Sequence, residues 1–208
     1  MPEIIYGVRP VVEALKGRRR RVIEVLDAVG SREVSAAAGG VSVKKVPRDR
    51  VDELARGGVH QGVVARVESY PYSSLEEILA VPRPLVLVLD GVTDPRNLGA
   101  VLRAADGAGA SGVVIPKDKA VGVTAAAVKA SAGASEHVRV ARVTNLRRAV
   151  DAMKSANVWV YAAEADGTDY AKLDLAGPAA FVLGSEGRGV RRLVREACDG
   201  TVSVPMLG

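Results

Sequence analysis

The 208-residue chain is 48% hydrophobic and 25% charged, the balance of an ordinary globular protein, which excludes a disordered or collagen-like chain. Lysine and arginine number 29 against 24 aspartate and glutamate, a net charge of +5 that leaves room for an anionic partner. The one cysteine, Cys198, cannot form an internal bridge, and no apolar run approaches the roughly 18 residues of a membrane span, so a cytoplasmic protein without a membrane partner is expected.

In chain order, Tyr6-Gly7-Val8-Arg9-Pro10 leads into an apolar-periodic helix over Val11 to Lys16, and the β-branched run Val22 to Leu26 reads as a strand. A small-residue helix around Ser35 to Ala38 follows. Val41 to Val46, Val51 to Arg56 and Gly62 to Val67 then read as strand, helix and strand, completing a small α/β unit over residues 1–68. This front third carries 13 basic and 9 acidic side chains, against 16 and 15 in the remainder, so it holds most of the basic excess. Its densest run, Arg18-Arg19-Arg20-Arg21, reads either as a solvated turn after a helix or as a set of phosphate contacts. Residues 69–83 contain Pro71 and Pro82 around Ser73-Ser74 and read as a linker, with room for a turn or two of helix at Leu75 to Ala80.

From residue 84 onward the pattern alternates. The apolar runs Leu85 to Leu89, Gly112 to Ile115, Val138 to Val143, Val158 to Ala163 and Ala179 to Leu183 are separated by helical stretches at Asn97 to Ala108, Thr124 to Ala132 and Leu146 to Ala156. Continuous apolar strands suit a sheet buried on both faces, and helices between them supply parallel crossovers, so residues 84–208 are expected to form an α/β domain of Rossmann-like, parallel-sheet architecture.

Aromatic residues make up only 3% of the chain, which disfavours RNA or DNA recognition by base stacking. His60 and His137 belong to no cluster with zinc spacing, and no metal is expected. In open α/β sheets ligands bind beyond the carboxyl ends of the strands, and two of these ends carry polar turns. Asp94-Pro95 after the first run reads as a helix cap with proline at the first helical position, and Asn97 and Arg103 flank Gly99, where close backbone approach by a ligand is possible. Gly184-Ser185-Glu186-Gly187-Arg188-Gly189 after the last run places three glycines around one carboxylate; it matches neither the dinucleotide fingerprint nor the phosphate loop of nucleotide triphosphatases. Glu186 reads as a functional carboxylate or as a helix cap. Cys198, in a helix-like stretch from Val190 with no activating base nearby, reads as a core residue.

Three segments together, Asp94-Pro95-Arg96-Asn97-Leu98-Gly99-Ala100-Val101-Leu102-Arg103-Ala104-Ala105, Leu183-Gly184-Ser185-Glu186-Gly187-Arg188-Gly189 and Val204-Pro205-Met206, resemble in order and spacing the motifs of the SpoU (TrmH) family of RNA ribose 2′-O-methyltransferases within the SPOUT superfamily. Lys129-Ala130-Ser131-Ala132-Gly133-Ala134 and Trp159 to Ala163 also look like family segments. In the front unit, Tyr6 to Leu15 and His60-Gln61-Gly62 are similar to the ribosomal-protein-like substrate-binding domain of the RlmB-like branch, whose substrate is a 23S rRNA guanosine.

The resemblance implies a C-terminal trefoil knot, S-adenosylmethionine as cofactor, a homodimer, and RNA as substrate. It points to Asn97, Arg103 and Glu186 as catalytic, to the backbone at Ala163, Gly184, Val204 and Met206 around the cofactor, and to RNA contacts at Arg9, Arg18, Arg19, Arg20, Arg21, His60 and Gln61, with a structural role for His60 as the other reading. A guanidinium essentially does not deprotonate, so Arg103 is read as a clamp on the neighbouring phosphate that also stabilises the developing alkoxide, in preference to a general base. In the family the third motif runs past the position of Gly208 into a Ser-Leu-Asn-Val stretch, so it is expected to be cut short here. That keeps open an inactive RNA-binding protein beside the enzyme readings, which are a methyltransferase of rRNA, of tRNA, or one conferring antibiotic resistance.

Overall fold

A computed structural model describes residues 2–17 and 19–205. In chain order the elements are β1 (Glu3–Tyr6), α1 (Val8–Gly17), β2 (Val22–Asp27), α2 (Arg32–Ala37), β3 (Val43–Lys45), α3 (Arg48–Ala55), β4 (Val63–Val67), α4 (Leu75–Leu79), β5 (Leu85–Asp90), α5 (Pro95–Gly107), β6 (Gly112–Pro116), α6 (Ala125–Ala130), β7 (Val140–Val143), α7 (Leu146–Ser155), β8 (Trp159–Asp169), β9 (Ala179–Gly184), α8 (Arg192–Arg195) and β10 (Gly200–Ser203). They fall into two compact units, one made of Met1–Pro71, Asp94–Asp106 and Val123–His137, the other of Tyr72–Thr93, Gly107–Gly122 and Val138–Gly208.

The first unit is built on a four-stranded sheet in the order β1-β4-β2-β3, antiparallel except for the parallel β2/β3 edge. Leu26, Val51, Ala55 and Val64 form one of its cores, with Tyr6 and Leu54 packed against them. α1 starts at Val8, three residues before its apolar pattern becomes visible, because Pro10 in the first turn has no hydrogen bond to lose there. Asp27 ends β2 with a buried carboxylate that accepts from the N–H groups of Val29, Gly30 and Ser31 at 2.9, 2.9 and 2.6 Å, and Ser31 Oγ then caps α2. α5 enters as the sequence reading expects: Pro95 occupies its first position, and Asp94 Oδ1 accepts from Arg96 N at 2.7 Å.

Two expectations for this unit change. Gly99 is buried, and a Cβ there would lie 2.4 Å from Ala130 Cβ and 2.8 Å from Ala127 O, so its lack of a side chain lets α5 close on α6 and not a ligand on α5. Nor is the arginine run a uniform solvated or phosphate-facing turn. Arg20 is 5% exposed and gives Glu136 two hydrogen bonds, Nε to Oε2 at 3.2 Å and Nη2 to Oε1 at 2.6 Å, while Nη1 reaches Glu3 at 3.1 Å. A buried guanidinium whose donors are taken up by protein carboxylates is a structural ion pair and not a phosphate ligand. Arg19 is half-buried, 5.8 Å from the Tyr70 ring centroid; Arg21 is exposed; Arg18 lies outside the described residues.

The second unit is a six-stranded sheet, β10-β8-β9-β5-β6-β7, with every pairing parallel. This is the α/β, parallel-sheet architecture expected from the continuous apolar runs. One core gathers Val86, Val88, Val114, Val150, Met153, Val160 and Val182. The segment read as a linker is in part built into this unit: α4 carries a capping box between Ser74 and Glu77, and Leu75 and Ile78 are buried in the same core. Prolines punctuated that stretch without keeping it out of the core. β8 runs six residues past its apolar part to Asp169, and the helix-like stretch from Val190 shortens to α8. No helix among the described residues is long and apolar enough to cross a membrane.

Candidate active site

At the carboxyl end of the second unit's sheet, the middle of β8 and the ends of β9 and β10 line an open cavity of about 490 Å³. Its lining is largely apolar and includes Ala163, Glu164, Phe181, Leu183, Val202 and Val204. Ala163 and Val204, singled out from the sequence for a cofactor, therefore meet in one cavity, and Gly184 directly follows a third lining residue. Met206 lies outside the described residues.

The turn that follows β9 is fixed by backbone packing. A Cβ on Gly184 would lie 2.0 Å from Gly189 C and 2.3 Å from Val190 N, so only glycine fits. Gly189 N donates to Ser185 O at 3.0 Å, and Gly187 and Gly189 have φ values of +78° and +65°. Two carboxylates hold the far side of the turn: Glu164 Oε1 accepts from Val190 N at 3.3 Å, and buried Asp90 accepts from both N and Nε of Arg191, at 2.8 and 2.6 Å. Glu186 stands exposed at the tip, with no side-chain hydrogen bond or ion pair among the described residues. α8 begins only at Arg192, so Glu186 does not cap it.

Asn97 and Arg103 belong to the first unit, on α5, which carries them about 9 Å apart along its axis. Both are exposed and make no side-chain hydrogen bond or ion pair among the described residues. Of the front-unit RNA candidates, Arg9 is exposed on α1. Gln61 is exposed at φ +54°, and its Oε1 accepts from Val8 N at 3.3 Å and Lys129 Nζ at 2.6 Å. Burial pushes the Lys129 ammonium pKa below its ordinary value.

His60 departs from the RNA-contact expectation. It is buried; Nδ1 accepts from Gly62 N at 3.0 Å, so the proton sits on Nε2, which donates to Asp52 Oδ1 at 2.6 Å. With both nitrogens engaged, the imidazole serves the turn between α3 and β4. Cys198 is half-buried against the second unit's core, donates its S–H to Val194 O at 3.3 Å, and burial pushes its thiol pKa up to about 11, the opposite of an activated nucleophile.

The sequence reading missed Asp90, Glu164 and Arg191. The first two were visible as carboxylates closing apolar runs, at Leu85 to Leu89 and Val158 to Ala163, but nothing local tied them to the turn after β9. Among the described residues no group of three or more His, Cys, Asp or Glu side chains is placed to hold a metal ion.

Comparison with known proteins supplies the frame for this geometry. The SpoU rRNA Methylase family model matches residues 84–208, and the model for RNA 2′-O ribose methyltransferase substrate binding matches residues 4–73. The chain is 46% identical to the 23S rRNA (guanosine-2′-O-)-methyltransferase RlmB of Haemophilus influenzae, covering 100% of this chain and 90% of that protein. It is 42% identical to RlmB of Yersinia pestis, covering 100% and 89%. Among solved structures it is similar to the SpoU methyltransferase AviRb from Streptomyces viridochromogenes in complex with AdoMet, with a TM-score of 0.84, 25% identity, and coverage of 100% of this chain and 82% of that one. The chain belongs to the SpoU rRNA methylase family, with that family's substrate-binding region ahead of its methylase region.

Proposed function

We infer that this protein is an S-adenosylmethionine-dependent RNA methyltransferase whose target is the ribose 2′-hydroxyl of a 23S rRNA guanosine. The observation that carries this reading is the apolar cavity lined from β8, β9 and β10, next to a turn that the close packing of Gly184 and the carboxylates of Glu164 and Asp90 hold in place. RlmB relatives at 42–46% identity over the full chain support the substrate.

The residues present suit the cofactor. The apolar walls at Phe181, Leu183 and Val202 match an adenine face and the methylene groups of the methionine chain, and backbone groups at Ala163, Gly184 and Val204 border or adjoin them. When bound, S-adenosylmethionine supplies an electrophilic methyl group for in-line displacement by the ribose oxygen. The protein's own task is alignment. Arg103, always charged and with a planar fork of donors, clamps the phosphate next to the target ribose and stabilises the alkoxide as the hydroxyl proton passes to solvent water. Asn97 and Glu186 offer an amide and a carboxylate not engaged by other described residues, for positioning the reacting groups.

In this reading residues 1–68 bind the RNA and residues 84–208 carry catalysis, with the C-terminal knot and the homodimer that the family resemblance implies. Arg9, Arg21 and Gln61 are the exposed front-unit contacts, and the protein acts in the cytoplasm.

The test is transfer of labelled methyl from S-adenosylmethionine to a 23S rRNA transcript and, in parallel, to tRNA, followed by nucleoside analysis. The expected product is 2′-O-methylguanosine from the rRNA. Label in tRNA alone would move the substrate, and no label in either, with no cofactor binding by calorimetry, would overturn the reading.

A further inference from the structure

Beyond the cofactor cavity, the same edge of the second unit's sheet carries a second cavity, of about 450 Å³, where β6 and β7 end and α7 begins. Its wall contains Lys119, Arg147, Arg191 and Arg192 against one carboxylate, Asp118, with Leu193 as an apolar surface. Such a concentration is local, since residues 69–208 as a whole carry only 16 basic against 15 acidic side chains.

These cations are not consumed by the fold. Lys119 and Arg147 are exposed and make no side-chain ion pair or hydrogen bond among the described residues. Arg191 is oriented from behind: buried Asp90 takes its Nε and its backbone N–H, while the side chain as a whole stays 60% exposed and makes no other ion pair among the described residues. Arg192 gives one nitrogen to Glu196 at 2.7 Å and keeps the rest. Leu193 is half-exposed beside them.

We propose that this cavity is a binding site for the phosphate backbone of the RNA strand that enters the active site; the proposal rests on the methyltransferase reading above. Two features favour phosphates. Arginine forks match phosphate oxygens, and a chain with 3% aromatic residues has little means of stacking bases, so its RNA affinity must come largely from charge. The spacing also fits. β9, which bears the Glu186 turn, lies two strand positions from β6 in the order β9-β5-β6, about 10 Å at 4.8 Å per strand, a separation that the phosphates beside a target nucleotide can span. A strand whose target ribose sits at the end of β9 thus passes its neighbouring phosphates over the cavity.

The experiment pairs Lys119→Glu with Arg147→Glu and measures binding to poly(U), which carries phosphates but no guanosine target, across a salt series. Cofactor binding by calorimetry and sedimentation are run alongside. The expected result is a loss of about 10-fold or more in poly(U) affinity and a fall of about 1.4 in the slope of log affinity against log salt, with cofactor binding unchanged. Lys119→Gln with Arg147→Gln, a milder pair, gives the same direction with smaller size. Unchanged affinity and slope overturn the proposal, as does failure of the wild type to bind poly(U). Loss of self-association in place of RNA affinity also overturns it, assigning the cavity to contact between copies. A wild type that binds poly(U) through these residues yet methylates no RNA sinks the methyltransferase reading and leaves the anionic site standing.

Discussion

Asp90 and Arg191, 101 residues apart, are joined twice: one carboxylate oxygen accepts the backbone N–H at 2.8 Å and the other accepts Nε at 2.6 Å. The carboxylate is buried at the end of β5, so the pair fixes the exit of the turn that follows β9. Replacing Asp90 with alanine removes two hydrogen bonds to a charged acceptor, a cost of about 1.5–3 kcal/mol. Urea unfolding is expected to register that loss, and calorimetry a weaker affinity for S-adenosylmethionine. Normal affinity would mean that the turn holds without this anchor.

Arg20 and Glu136 form a buried, two-pronged ion pair in the first unit. Arg20→Ala strands a buried carboxylate and is expected to cost about 3–5 kcal/mol, whereas the double change to Met and Leu restores most of the stability. Thermal melts of the wild type and the two variants check this.

Gly99→Ala puts a methyl group 2.4 Å from Ala130 Cβ and 2.8 Å from a backbone oxygen. Helix α5 must shift from α6, at an expected cost of about 1–3 kcal/mol. Because α5 carries Asn97 and Arg103, methyl transfer falls with it. A variant as stable as the wild type would mean that the two helices are less closely packed.

The thiol of Cys198 has its pKa raised by burial to about 11 from an ordinary 9.0. A group whose pKa is raised on folding contributes stability that is complete below the unfolded value and lost as pH climbs through the folded one. Stability is therefore expected to decline between about pH 9 and 11, and Cys198→Ala to lessen that decline, in melts recorded at stepped pH. Alkylation of the native protein near pH 8 should be slower than that of a free thiol.

For Arg103, lysine keeps the charge but not the fork. Arg103→Lys is expected to lower kcat at least about 10-fold, with cofactor affinity unchanged. Near-normal turnover would remove the bidentate clamp from the mechanism.

What the sequence determined by itself is the alternation of strands and helices from Leu85 onward, the parallel architecture and the segments where chemistry resides. Continuous apolar runs such as Leu85 to Leu89 and the Asp94-Pro95 cap record local physics, the periodicity of burial and the chemistry of a helix start, and these survive in any context that buries them. Family motifs added Asn97, Arg103 and Glu186, which no periodicity distinguishes. Tertiary structure decided the rest. In a run of four arginines nothing local marks Arg20 as buried; its partner Glu136 lies 116 residues away, and burial depends on that pairing. Gly99 reads as room for a ligand until Ala130 is seen against it. His60 reads as an RNA contact or a structural residue until Asp52 and Gly62 take both its nitrogens. In each case the deciding energy is a long-range contact, and composition and spacing hold no record of which distant residue supplies it.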